Sequence, residues 1–171
     1  MAYTYSKIAT YTVGSGGVPS VSFLNIPQNY TDLVVKISAR IDYAAVTDYL
    51  KVEFNSVTTG YTDRVLYGTG STASSFTGTI VDVVLNGASA TASTFGNAEI
   101  YIPNYAGSTY KSISADAVNE NNATAAGNHL IAALWSNTSP ISSIKLTPQG
   151  SGSSLFVQYS SFHLYGIKAE V

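Results

Sequence analysis

The chain contains no cysteine, which excludes disulfides, thiolate metal sites and a cysteine nucleophile. Charge is scarce as well. Asp, Glu, Lys and Arg make up 11% of the 171 residues, against about 25% in an average globular domain. Eight scattered Lys and Arg and a net charge of −2 leave no electrostatic footprint for a phosphate backbone, so no nucleic-acid partner is expected. No apolar run approaches the roughly 18 residues of a membrane helix. The opening Met1–Lys7 lacks the basic and apolar regions of a secretory leader, so synthesis in a cytoplasm is expected.

In place of charge the chain carries 13 Tyr and 14 Gly, with Ser, Thr and Asn filling the polar positions. The length is that of one domain, 1–171, able to bury about 70% of its unfolded surface without a metal or disulfide staple. Period-2 alternation recurs along it, and no segment sustains a helical period. The clearest unit is Ala98–Asn119. Ile100 and Ile102 share one face, Pro103-Asn104 and Gly107-Ser108 reverse the chain, and Ile113, Ala115 and Ala117 return on the buried face.

Asp32–Arg40 reads as a strand with Leu33, Val35, Ile37 and Ala39 inward, and Tyr49–Asn55 as one with Leu50, Val52 and Phe54 inward. Tyr5–Val13 and Val18–Phe23 are expected to form an N-terminal hairpin across Gly14–Gly17. Residues 1–13 are also a candidate interface strand or arm. Gly68–Gly78 reads as a small-residue loop, Ile80–Leu85 as a central or doubly covered strand, Leu130–Trp135 as a buried one and Phe156–Ile167 as one long closing strand. The sum is an all-β sandwich of about ten strands, jelly-roll or Greek-key.

No catalytic or cofactor motif stands out. His129 and His163 are too few for a three-histidine metal site and read as strand-face residues. The carboxylates Asp42, Asp48, Asp63, Glu99, Asp116 and Glu120 lack calcium-loop spacing, Asp63-Arg64 reads as a local ion pair, and no Gly-x-Ser-x-Gly elbow occurs. The reading is a non-enzyme with no catalytic, metal or cofactor-binding residues. Tyrosines in or beside loops suit stacking and interfaces better. The candidate interface residues are Tyr3, Tyr5, Tyr43, Tyr61, Tyr67, Tyr105 and Tyr110, with ordinary use of Tyr on half-exposed sheet faces as the competing reading.

Several segments carry a family resemblance. They are Tyr5-Ser-Lys-Ile-Ala-Thr10, Val13-Gly-Ser-Gly-Gly17, Ile26-Pro-Gln-Asn-Tyr-Thr-Asp-Leu33 leading into Val34–Arg40, and Asn86-Gly-Ala88. Further on come Thr94-Phe-Gly-Asn-Ala-Glu-Ile-Tyr-Ile-Pro-Asn-Tyr105, Glu120-Asn-Asn-Ala-Thr124, Leu134-Trp-Ser-Asn137 and Leu164-Tyr-Gly-Ile167. In these the chain resembles small virion proteins of tailed bacteriophages over nearly its whole length. The resemblance implies a virion structural protein, a capsid decoration or cement protein held on the major capsid protein as a homotrimer or related oligomer, without nucleic acid or membrane. Tail fibres and tail tips use similar sandwiches, so a receptor- or glycan-binding module at the tail is the alternative.

Overall fold

The computed structural model describes residues 3–122 and 126–169. Every regular element among them is a strand: β1 (Tyr3–Thr12), β2 (Val21–Phe23), β3 (Asp32–Ala39), β4 (Thr47–Phe54), β5 (Tyr61–Gly68), β6 (Ala73–Gly78), β7 (Val81–Asn86), β8 (Gly96–Pro103), β9 (Lys111–Val118), β10 (Asn128–Trp135), β11 (Ile144–Pro148) and β12 (Ser161–Ala169). They form an eight-stranded sheet in the order β1-β12-β3-β8-β9-β10-β5-β6 and a four-stranded sheet in the order β2-β11-β4-β7. All pairings between strands are antiparallel.

The pairs β1–β12, β2–β11, β3–β8 and β4–β7 are nested in sequence and alternate between the two sheets. This is the wrapping of a jelly roll. Two insertions, β5-β6 between β4 and β7 and β9-β10 between β8 and β11, join to widen one sheet beyond β8. The extra strands curl around β7, which packs on β5, β8, β9 and β10.

The alternation expected in β3, β4, β8 and β9 is borne out. Leu33, Val35, Ile37, Ala39, Leu50, Val52, Phe54, Ile100, Ile102, Ile113, Ala115 and Ala117 all lie in the core. The hairpin turn is held by polar groups as well as by proline and glycine. Asp32 accepts hydrogen bonds from Tyr101 Oη at 2.9 Å and Asn104 N at 2.9 Å. The buried Lys111 donates its ammonium to the carbonyls of Gly107 at 2.8 Å and Thr109 at 2.5 Å, and burial lowers its pKa. Arg40 organises the loop after β7. Its guanidinium donates to the carbonyls of Ala88, Ala90, Thr91 and Thr94 at 2.7–3.0 Å, a fixed fork that a lysine cannot reproduce.

Three expectations are corrected and two are made specific. The N-terminal hairpin does not form, because Gly14–Gly17 carries the chain from one sheet to the other: β1 pairs with β12 and β2 with β11. Within the candidate interface strand or arm, residues 3–12 form strand β1, paired with β12 at the edge of the sheet. Gly68–Gly78 is a tight turn, closed by Thr69 N donating to Thr72 O at 3.0 Å, followed by strand β6. That strand has no inward apolar series to betray it. Of the two alternatives for β7 the doubly covered one holds: it is an outer strand of its own sheet, covered by the curl of the wider sheet. The closing strand starts only at Ser161; Phe156 bridges to Val18 and Ile41, and Tyr159 takes φ +73 in between.

Candidate functional site

The outer face of the eight-stranded sheet spans all eight strands, and register fixes its chemistry. One cross-strand row runs Ser75, Leu66, Leu130, Asp116, Glu99, Lys36, His163, Thr10. It is apolar at the β5/β10 end, charged in the middle and aromatic at the β1/β12 end.

At the apolar end Leu66 and Leu130 are 53% and 56% exposed. With Arg64, Phe76, Thr77 and Ala132 they line a shallow depression of about 480 Å³. Isolated exposed leucines are ordinary; these two are directly opposite across β5 and β10 and so form one small apolar patch. The expected buried strand over Leu130–Trp135 is buried on one face and not on both. His129, Ile131, Ala133 and Trp135 point inward and Leu130 outward, the phase that Ile131 and Trp135 dictate. Leu66 and Leu130 are the residues that reasoning from composition missed.

In the middle of the row Lys36 and Glu99 pair at 2.8 Å with both side chains well exposed, and the carboxylate raises the lysine pKa. Such a pair contributes little to stability. At the far end Tyr5, 51% exposed, meets Tyr165 edge-on at 6.2 Å, and the Lys36 ammonium lies 5.9 Å from the Tyr5 centroid. His163 Nδ1 is 2.6 Å from Thr10 Oγ1.

The candidate tyrosines do not form one site. Tyr61 and Tyr105 are core residues. The Tyr61 hydroxyl accepts from Phe54 N at 2.8 Å and donates to Val57 O at 3.0 Å, and its ring stacks on Trp135; burial pushes its pKa up to about 12. Tyr105 Oη donates to Pro27 O, and burial raises its pKa too. Both are internal struts. Tyr43 and Tyr110 are exposed, and Tyr67 is half-buried. The side chain of Tyr3 lies outside the described residues. Tyr67 stacks on His129 at 5.3 Å and lines, with Tyr49, Phe76 and His129, a second depression of about 240 Å³. Burial lowers the His129 pKa, keeping the imidazole neutral at pH 7.

The carboxylates are structural in their contacts. Asp63 and Arg64 do not form the expected ion pair: alternation turns Asp63 inward, while Arg64 Nη1 donates to the Asp63 backbone carbonyl at 2.8 Å. Asp82 accepts from Gln149 Nε2, and burial, with a smaller contribution from Asp63, pushes its pKa up to about 6. Asp48 and Asp63 are raised by burial in the same direction. Among the described residues no group of three or more His, Asp and Glu is placed to hold a metal ion.

The Asp82 shift has a measurable consequence. A carboxyl whose folded pKa lies above its ordinary value favours the fold when protonated. Its contribution is present below about pH 4 and is lost as pH rises through about 6. The full shift would correspond to about 3 kcal/mol, and solvent screening of this partly exposed carboxyl reduces it to about 1–2 kcal/mol. Asp82→Asn retains an acceptor for Gln149 and is expected to raise stability at pH 7.5 by about that amount, with little change at pH 4, when urea unfolding is followed at both. Equal stability of the two proteins at pH 7.5 contradicts the assignment.

No family model, no curated protein and no solved structure matches this chain.

Proposed function

We propose that this chain is a bacteriophage virion structural protein, a decoration or cement protein that binds the outside of the assembled capsid and stabilises it. The observation that supports this reading is the apolar end of the outer sheet face, where Leu66 and Leu130 lie cross-strand beside a hydroxyl-rich neighbourhood of Ser75, Thr77 and Ser114, with Arg64 at its margin. Such a surface suits a wet, hydrogen-bonded interface with an apolar centre. A jelly roll with a widened sheet offers that face rigidly, and the family resemblance of the sequence points the same way.

A cement protein acts by mass action. It binds the assembled shell better than free subunits, so assembly gains its binding free energy. Weak single contacts become firm when an oligomer spans several capsomers. The test mixes the purified protein with shells lacking it and with free major capsid protein. Co-sedimentation with shells and no complex with free subunits is expected; equal binding to both contradicts the proposal.

A second reading, a glycan-binding module at a tail tip, is favoured by the depression walled by Tyr49, Tyr67, Phe76 and His129. Aromatic rings of this kind stack on sugars. That reading requires only a handful of copies per particle.

A further inference from the structure

Sheet edges carry unpaired backbone donors and acceptors, and folded proteins protect them with charge, proline, bulges, shortness or a cover. Three of the four edges in this fold are protected. β1 carries the exposed Lys7 and a register irregularity between Lys7 and Ala9. β2 is three residues long. β7 is wrapped by the wider sheet, and the backbone N–H of Asp82 is taken by Asp63 Oδ2 at 3.4 Å.

β6 has none of these devices. Ala73-Ser-Ser-Phe-Thr-Gly78 ends the eight-stranded sheet, pairs among the described residues with β5 alone, and contains no charge, no proline and no bulge along its six residues. Its two ends fix it in place. The turn at Thr69–Thr72 closes it on one side. At the other, Gly78 passes so close to Asp63 that an added Cβ would lie 2.5 Å from the carboxylate oxygen. An uncharged sheet edge of this kind is a template for another strand.

We infer that β6 is a self-association edge, pairing antiparallel with β6 of a second copy about a two-fold axis perpendicular to the sheet. A second copy fits because nothing in the segment repels itself: antiparallel self-pairing sets hydroxyls, an alanine, a glycine and a phenyl ring against one another and brings no like charges opposite. Closed two-fold pairing also uses the edge up, leaving none to propagate.

Register is constrained further. A perpendicular two-fold keeps outer face with outer face, so only residues on the same face can be directly opposite. Ser75 and Thr77 face outward beside Leu66 and Arg64, while Phe76 faces inward beside Val65. The symmetry centre therefore falls on a residue, Ser75 against Ser75 or Phe76 against Phe76. Either one sets the two Leu66–Leu130 patches on the same face of one continuous sheet. The pairing is independent of what that face binds.

The absence of cysteine provides a clean background for the test. Ser75→Cys and Phe76→Cys are oxidised separately, and the wild type and Thr77→Lys are sedimented over a concentration series. Thr77 is exposed, so the lysine leaves the fold intact, which thermal unfolding checks. The expected result is a concentration-dependent dimer of the wild type, loss of that dimer in Thr77→Lys, and a disulfide-linked dimer from one of the two cysteine variants. A wild type that stays monomeric with neither variant cross-linking overturns the inference. So does a dimer or trimer that survives Thr77→Lys unchanged.

Discussion

Leu66→Asp combined with Leu130→Asp is expected to remove the protein from particles while leaving its fold intact. Both side chains are more than half exposed, so the lost burial costs about 0.5 kcal/mol per site. The new carboxylates, opposite each other and with residue 130 opposite Asp116, add up to about 1 kcal/mol of repulsion per pair. At an interface a further cost arises. Burying the exposed half of each leucine contributes about 1–1.5 kcal/mol, and a carboxylate in its place must be desolvated without a partner. Together the changes weaken each contact by about a hundredfold or more, and an oligomer multiplies that loss over its sites. Co-sedimentation with shells measures retention, and thermal unfolding reports the fold. Wild-type retention of a folded double variant would remove this face from the interface.

Trp135→Ala is expected to have the largest effect on stability, a loss of about 3–5 kcal/mol. The ring is fully buried, 5.4 Å from Phe54 and stacked 6.1 Å from Tyr61 at an interplanar angle of 15°. It therefore ties β10 of the wider sheet to β4 of the narrower one. Truncation leaves a cavity bounded by two aromatic rings and several strands, which cannot collapse without moving both sheets. Denaturant unfolding followed by far-UV circular dichroism measures the loss, since the variant lacks the only tryptophan. A loss below about 1 kcal/mol would mean that the site relaxes freely.

How much of this was legible in the sequence follows from where each signal lies. Strands with one buried face announce themselves, as Leu33-Val-Val-Lys-Ile-Ser-Ala39 and Gly96–Pro103 do, because alternation is a local consequence of the pleat. Ala-Ser-Ser-Phe-Thr-Gly of β6 reads as loop because it carries no apolar alternation, and an edge strand that commits a single side chain, Phe76, to the core needs none. The glycines of Gly14–Gly17 signalled a turn, but a turn that reverses within a sheet and one that crosses between sheets use the same residues. The sandwich was thus readable and its nesting was not.

The candidate site was less legible still. Tyr61 and Tyr105 were chosen because they lie beside loops, yet the phase of their own strands and loops carries both inward, where hydroxyl partners on Phe54, Val57 and Pro27 make burial tolerable. Leu130 was assigned to the core by its apolar character. Its phase against Ile131, Ala133 and Trp135 held the correct answer. The depression at Leu66 depends on β5, β6 and β10 being neighbours, strands separated by some 60 residues of chain, and spacing alone does not convey that adjacency.

The central claim, attachment to the capsid surface, is tested most directly by the copy number of this protein relative to the major capsid protein in purified virions, by quantitative mass spectrometry. Decoration predicts a simple ratio set by capsid symmetry, hundreds of copies per particle. A handful of copies per particle, or none, would contradict it.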